Sequence, residues 1–141
     1  MSSALRYLLD TNVMSETRKK LANERVMAFL AGTDPSALYM SVLAVGELRK
    51  GVTLKRKSDA EAARQLASWV DGLEYGFGER FLPIDSATAR LWGELSADCS
   101  RPVVDMLLAA TAITHDLIYV TRNTRDVEGI DVKLLNPWIV T

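Results

Sequence analysis

The first apolar segment of the chain, YLLDTN (residues 7–12), does most to indicate the fold. A short apolar run ends abruptly on a carboxylate, and two small polar residues follow it. Such a run predicts a strand that is buried on both faces, as in a parallel sheet. Asp10 then has two explanations: it caps the helix that follows, or it forms one side of a metal site. The other acids of the chain decide between them.

The composition is that of one folded domain, which we expect to span residues 1–141. Hydrophobic residues make up 48% of the chain and charged residues 25%, which is enough apolar material for a core and unlike a disordered chain. The 17 Lys and Arg nearly balance the 18 Asp and Glu. Bulk charge therefore does not indicate nucleic-acid binding, and such a role would have to come from local patches.

The cellular location is predicted from what the sequence lacks. A single cysteine, Cys99, rules out a disulfide within the chain and fits a reducing compartment. We find no signal-peptide pattern, and the longest apolar runs are far shorter than the roughly 20 residues that span a bilayer. We therefore expect a soluble cytoplasmic protein that has no membrane partner.

Apolar strands alternate with amphipathic helices along the chain. Helices are expected after each of the first three strands, and the two after the second strand form a hairpin. This alternation predicts right-handed crossovers and a parallel sheet that is covered on both faces. The predicted strands are residues 5–9, 37–40, 81–84, 117–121 and 132–135.

Four acids are expected at one edge of this sheet. Asp10 directly follows the first strand, and Glu47 lies about two turns into the helix after the second. Asp105 opens the helix that leads into the 117–121 strand, and Asp126 lies in the loop after that strand. In open parallel sheets, ligands bind beyond the carboxyl ends of the strands, at the switch point of the topology. The four carboxylates are therefore predicted to converge.

Convergent carboxylates indicate a divalent cation. Carboxylates repel one another and lose hydration when they are buried, unless a hard cation neutralises them. Mg²⁺ prefers oxygen ligands and typically joins one or two carboxylates to substrate phosphates, whereas one His and one Cys do not suffice for a zinc cage. Two such ions activate water and stabilise the leaving oxygen of a phosphodiester. The site composition thus favours hydrolysis of a phosphate ester.

Each acid also has an ordinary explanation when it is taken alone. Asp10 is a good N-cap, and Asp105 in a first helical turn interacts favourably with the helix dipole. Glu47 is explained as a solvated helix acid and Asp126 as a loop acid. Only their shared location favours the metal site.

Five ordered motifs resemble one family. They are LLDTNVMSE, SVLAVGELRKGV, DSATARLWGEL, RPVVDMLLAATAITHDLIYVTRNTRDV and VKLLNPW, and they span nearly the whole chain. Together they resemble PIN-domain ribonucleases, specifically the VapC/FitB-like toxins of prokaryotic toxin–antitoxin pairs. The resemblance implies an α/β protein with a three-layer α/β/α PIN-like fold. It also implies a central parallel sheet of four or five strands with a protruding helical hairpin, a Mg²⁺ or Mn²⁺ site, and endoribonuclease activity.

The resemblance assigns the metal-binding and catalytic roles residue by residue. Asp10, Glu47 and Asp105 match the family motifs directly. Many relatives have a fourth acid where this chain has Asn123, so we expect Asp126 to take that role and Asn123 to support it. The predicted supporting residues are Thr11, Asn12, Thr121 and Asn123.

The resemblance further implies partners. We expect an RNA substrate, a homodimer, and a small antitoxin that binds DNA, forms a hetero-oligomer with the toxin and inserts its tail into the acidic pocket. A nuclease also needs cations near its acids to hold a polyanion, although ordinary surface charge is an equal explanation for each one. The candidate RNA-phosphate contacts are Arg18, Arg49, Arg122 and Arg125.

Two other functions are compatible with parts of this sequence. LLDTN resembles the opening strand of haloacid-dehalogenase-like phosphatases, but that chemistry needs an acid where position 12 is Asn. A non-catalytic PIN-like module that binds RNA or a protein partner is the main alternative. The intact acids argue against it, because an inert copy has no need for a costly cluster of carboxylates.

Overall fold

The computed structural model describes residues 4–97 and 100–139, so Cys99 lies outside the described residues. The strands are β1 (Tyr7–Leu9), β2 (Leu38–Ser41), β3 (Phe81–Leu82), β4 (Ile118–Val120) and β5 (Leu134–Leu135). The α-helices are α1 (Thr11–Glu16), α2 (Glu24–Ala31), α3 (Val42–Arg56), α4 (Ala60–Phe77), α5 (Ser86–Ser96) and α6 (Val103–Thr114). Short 3-10 turns occupy Pro35–Ala37, Gly78–Arg80 and Thr124–Val127. No helix among the described residues is both long and apolar enough to cross a membrane.

The five strands form one sheet in the order β3-β2-β1-β4-β5. Every neighbouring pair is parallel, which confirms the predicted sheet. The chain moves outward from β1 through β2 to β3, and then returns to the other side of β1 as β4. The order of the strands therefore reverses between β1 and β4, which are in register at Leu9 and Val120. The residues that follow these two strands, Asp10 and Thr121, meet at the crevice where open α/β sheets bind ligands.

Helices cover both faces of the sheet. Leu9 and Val120 point to one face and pack in a buried cluster that includes Val13 of α1 and Val26 of α2. Their neighbours point to the other face, where residues such as Leu8 join the apolar side of α6. This alternation is the period-two pattern of strands, and it produces the predicted three-layer α/β/α arrangement.

The predicted helical hairpin is formed by α3 and α4, which have 15 and 18 residues. Leu48, Val52 and Val70 are buried between the two helices in a cluster separate from the two that cover the sheet. Asp59 caps α4 by accepting a hydrogen bond from the amide of Ala62 at 3.0 Å. The hairpin thus has a small core of its own.

Four strands are shorter than the sequence predicts, and β4 lacks one residue at each end of the predicted 117–121. β1 begins at Tyr7, where its pairing with β4 begins, and Leu5 is 63% exposed. β3 ends before Pro83, which has no amide to donate to a ladder. β5 is an edge strand of two residues, although the Lys133 carbonyl just before it already accepts from the Tyr119 amide at 2.8 Å.

Candidate active site

Asp10 directly follows the central strand β1, where the sequence predicts either a helix cap or a metal-binding acid. It occupies the N-cap position of α1 with extended backbone, but no amide of the first helical turn makes a well-aligned capping bond to its side chain. The side chain instead accepts a hydrogen bond at Oδ2 from the Thr121 hydroxyl, at 2.9 Å. Burial raises the pKa of Asp10, against the opposing effect of Thr121 and the nearby amides of Asn12 and Thr11. Asp10 is therefore a buried acid, and a hydrogen bond from the residue that follows β4 fixes its side chain.

Glu47 reaches the same edge from α3. Its Oε1 accepts a hydrogen bond at 2.8 Å from the hydroxyl of Thr11, the residue that follows Asp10. This bond connects α1 to α3 across 36 positions of sequence. Glu47 is exposed, so the Thr11 bond fixes a carboxylate that solvent still reaches. The predicted supporting residue and the predicted acid are thus in direct contact.

Asp105 and Asp126 complete the group of acids. Asp105 opens α6, and Asp126 lies in the 3-10 turn after β4, with its amide donating to the Asn123 carbonyl at 3.1 Å. Burial raises the pKa of Asp105 to about 6, helped by a hydrogen bond with the Asp126 carboxyl and by the charges of Asp126, Asp10 and Glu47. The two carboxyl groups are therefore in contact, and their like charges favour the protonated form of Asp105. Asp105 therefore interacts with each of the other three predicted acids.

Thr121 links the acids to the turn after β4. Its hydroxyl donates to Asp10 and accepts from the main-chain amide of Asn123 at 3.0 Å. Asn123 therefore supports the site through its backbone, while its side chain and that of Asn12 are exposed. This division between main chain and side chain was not predictable from the residue types alone.

The donors in this group are all oxygen atoms, which suits a hard divalent cation. Within residues 4–97 and 100–139, no three Asp, Glu, His or Cys side chains converge as a preassembled metal cage. Mg²⁺ does not need such a cage, because it retains several waters and uses one or two carboxylates directly. Burial raises the pKa of Asp105, and the charges of Asp126, Asp10 and Glu47 raise it further, which a bound cation would offset. The residues present therefore fit Mg²⁺ or Mn²⁺.

The four candidate RNA-contacting arginines have different surroundings. Arg49 bonds to Asp71 and Glu74 of α4, which raise the pKa of its guanidinium. The Arg18 guanidinium lies 5.2 Å from the ring centroid of Trp69, also on α4. Arg49 therefore joins the two helices of the hairpin, and Arg18 packs against α4.

The other two arginines lie in the segment after β4. Arg122 lies 5.3 Å from the ring centroid of Trp138. Arg125 and Asp126 line a surface cavity of about 380 Å³ beside Arg101, whose Nη1 donates to the Asp126 carbonyl at 3.2 Å. Both arginines lie in the same segment as Asp126, and Arg125 lines a cavity together with it.

Sequence reasoning missed two buried polar groups near the site. Tyr119 of β4 is 1% exposed, and its hydroxyl makes no well-formed hydrogen bond among the described residues. Burial, with the charges of Asp10 and Asp105, raises the pKa of Tyr119. Glu16, at the end of α1, is also buried. The available signals were a phenol inside the apolar run LIYVT and an acid on the same helical face as Asn12.

The parallel α/β fold, with four interacting carboxylates at its switch point, defines an acidic, oxygen-donor site of the kind that binds divalent cations. Residues 7–131 match the sequence profile of the PIN domain. The chain belongs to the PIN-domain family, which confirms the resemblance found in its motifs.

Two curated relatives are similar over nearly their full length. The chain is 34% identical over 138 residues to toxin FitB of Neisseria gonorrhoeae, covering 93% of this chain and 97% of FitB. It is 31% identical over 140 residues to the VapC ribonuclease Y4jK of Sinorhizobium fredii, covering 93% and 96%. Among solved structures, FitAB bound to an IR36 DNA fragment superposes with a TM-score of 0.87 at 30% identity, covering 96% of this chain and 97% of that one.

Proposed function

We propose that this chain is a Mg²⁺- or Mn²⁺-dependent endoribonuclease and the toxin of a toxin–antitoxin pair. The observation that carries this proposal is the meeting of four acids at the switch point of the sheet, where burial, a hydrogen bond with Asp126 and the charges of Asp126, Asp10 and Glu47 raise the pKa of Asp105 to about 6. Four acids from separate elements gain nothing for the fold by this arrangement, because it places like charges together. The ribonuclease name of the Sinorhizobium fredii relative supports hydrolysis of RNA as the reaction.

The acids hold the cation in this proposal. Four acids would supply its oxygen donors: Asp10, Glu47, Asp105 and Asp126. When bound, Mg²⁺ or Mn²⁺ acidifies water and stabilises negative charge on phosphate oxygens. Water loses a proton and attacks the phosphorus in line, the P–O bond to the leaving oxygen breaks, and that oxygen takes up a proton, so no covalent intermediate forms on the protein.

Neighbouring side chains position these acids and add positive charge beside them. Thr121 and Thr11 hold the carboxylates of Asp10 and Glu47 by hydrogen bonds at 2.9 and 2.8 Å. Asp105 releases its proton as the pH rises through about 6, so protons and cation compete for it. Arg122 and Arg125 lie in the segment that carries Asp126, where they offer positive charge to RNA phosphates.

The test is cleavage of RNA by the purified chain. We expect cleavage in Mg²⁺ or Mn²⁺, loss of cleavage in EDTA, and recovery when the cation is restored. Asp10→Asn should abolish cleavage, whereas Asp131→Asn, at an exposed acid away from the cluster, controls for the loss of one charge. RNA binding without cleavage in any divalent cation would instead support a non-catalytic PIN-like module.

The proposed partner is a small DNA-binding antitoxin. The likeness to FitAB, which was solved on a DNA fragment, supports a hetero-oligomer of this kind. We further propose that the toxin is a homodimer. Co-expression with the product of the neighbouring reading frame should yield a complex that has no ribonuclease activity and binds the promoter DNA. A monomer by light scattering would contradict the homodimer without affecting the proposed activity.

A further inference from the structure

A polar cavity of about 280 Å³ opens beside the acids, between α1 and the chain that follows β4. Asn12 lies two residues after Asp10 at its rim, and the Asn123 amide bonds to the Thr121 hydroxyl that holds Asp10. The cavity therefore begins where the group of acids ends. Its lining is Asn12, Ser15, Glu16, Lys19, Arg122, Asn123 and Trp138.

The floor of the cavity is the carboxylate of Glu16, which already has hydrogen-bond and ion-pair partners. Glu16 is 4% exposed, and its Oε2 accepts a hydrogen bond from the Asn23 amide at 2.9 Å. Its Oε1 pairs with the Lys19 ammonium at 3.0 Å, and the Trp138 side chain is a further partner. The Asn23 amide and Lys19 lower the pKa of Glu16, so it stays ionised. Lys19 is therefore already neutralised and is a poor site for a phosphate.

The walls offer a planar cation and two free amides. The Arg122 guanidinium lies 5.3 Å from the Trp138 ring centroid, which supports the plane of the guanidinium at the edge of the cavity. Neither amide side chain, of Asn12 or of Asn123, makes a hydrogen bond to any other described residue. Each of these amides presents both a donor and an acceptor to the cavity.

We propose that this cavity binds one unpaired nucleobase of the RNA, adjacent to the phosphate that lies at the acids. This inference rests on the proposed ribonuclease function. Unpaired bases are recognised by stacking on guanidinium or aromatic planes and by hydrogen bonds to their edges, and Asn reads such edges well. The volume, about 280 Å³, is below the roughly 300 Å³ where pockets for drug-sized ligands begin, so it suits a single base.

A phosphate is the competing occupant, and the charges disfavour it. Glu16 places a negative charge at the floor of the cavity, and it already pairs with Lys19. The groups left free are neutral amides and one planar guanidinium. The cavity therefore selects a base at a fixed distance from the cut, which the acids alone cannot do.

The first experiment maps cleavage sites in a randomised RNA by sequencing the new ends. The wild-type chain should show a base preference at one position beside the cut. Asn12→Ala and Asn123→Ala should each reduce that preference roughly tenfold, since one good amide–base pair discriminates by about that factor. Asn12→Asp and Asn123→Asp, which are nearly isosteric, should change which base is preferred.

A charge-matched pair of variants separates stacking from attraction of phosphates. Arg122→Lys keeps the charge but loses the planar surface, so it should weaken the base preference. Arg125→Lys, three residues away in the same segment, should leave the base preference as it is. A loss of preference equal in both variants would contradict a role for the Arg122 plane.

The second experiment does not depend on cleavage. The Asp10→Asn chain is titrated with a 2′-O-methyl trinucleotide and with the same oligomer lacking its bases, while NMR follows the side-chain amides of Asn12 and Asn123. Only the oligomer with bases should shift these signals. Equal shifts with the abasic oligomer or with inorganic phosphate would make this a phosphate site and overturn the proposal.

The two proposals fail in different ways. Cleavage that continues with an unchanged base preference in all the cavity variants overturns the nucleobase site and leaves the ribonuclease. Absence of cleavage by the wild-type chain in Mg²⁺ and Mn²⁺ overturns the ribonuclease, while the NMR titration still reports on the cavity.

Discussion

Two regions of this molecule gather carboxylates, and they treat the charge in opposite ways. On the helical hairpin, Asp71 and Glu74 of α4 both bond to Arg49 of α3, so one guanidinium joins the two helices. At the edge of the sheet, Asp105 and Asp126 bond to each other, near Asp10 and Glu47. The negative charge of the first group is offset by Arg49, whereas the carboxyl groups of the second contact one another.

This difference separates a structural cluster from a functional one. Acids paired with Arg stabilise the contact between two helices, and they have no need of a ligand. Carboxyl groups that are held against one another raise the free energy of the folded state until a cation binds to them. The hairpin and the sheet edge can therefore be tested against each other by the same substitution, Asp to Asn.

The largest effect is expected on cleavage. Asp105→Asn removes a proposed metal ligand and should reduce RNA cleavage in Mg²⁺ by about 100-fold or more, because loss of a ligand exceeds the cost of losing its supporting bonds. Asp71→Asn, the matched change on the hairpin, should leave cleavage near the wild-type rate. Cleavage by Asp105→Asn at the wild-type rate would make the assignment of that residue wrong.

The next effect concerns the hydrogen bond that holds Asp10. Thr121→Val keeps the shape of the side chain but removes the donor 2.9 Å from Asp10 Oδ2, so cleavage should fall by roughly 10- to 100-fold and need more Mg²⁺. Thr111→Val is the matched control, since its buried hydroxyl donates to the Leu107 carbonyl within α6 at 2.7 Å. Thr121→Ser should retain most activity, and failure of Ser to do so would indicate a packing role instead.

A third effect appears in the stability of the metal-free chain. The pKa of Asp105 is raised to about 6 in the folded state from its ordinary value of 3.8. The stabilisation from its protonated form is therefore complete below pH 3.8 and is lost as the pH rises through about 6. Asp105→Asn removes this loss, so in EDTA at about pH 7.5 it should be more stable than wild type. The gain should be on the order of 1 kcal/mol after allowance for solvent screening.

Urea unfolding in EDTA between about pH 4 and pH 7.5 measures this gain. The difference between the Asn variant and wild type should grow as the pH rises, and saturating Mg²⁺ should reduce or reverse it by binding only the wild-type acids tightly. The exposed Asp131, changed to Asn, controls for the loss of one negative charge. A difference that stays constant over this pH range would contradict the coupling of the four acids.

Much of this comparison was predictable from the sequence, because the signals were periodic or positional. The 3.6-residue stripes gave the hairpin, and the strand–helix alternation gave the parallel sheet and hence the shared edge of Asp10 and Asp105. Orientation of side chains was not predictable, because it depends on contacts distant in sequence. Such contacts are the hydrogen bond of Thr11 to Glu47, 36 positions away, and the ion pairs of Arg49 with α4. The cavity beside Asn12 likewise exists only after α1 meets the end of β4.

The smallest expected effect tests the compensated region. Arg49→Gln removes the cation that joins α3 and α4 and should lower the free energy of unfolding by only about 0.5 kcal/mol, since these side chains are substantially exposed. The geometry also bears on the prediction that Arg49 contacts RNA, because its guanidinium is already occupied by two carboxylates. If it is structural, the variant should bind RNA with unchanged salt dependence, whereas a lost phosphate contact would reduce the slope by about one unit. Measuring urea unfolding and RNA binding on the same variant therefore decides whether the hairpin only supports the fold or also extends the RNA surface.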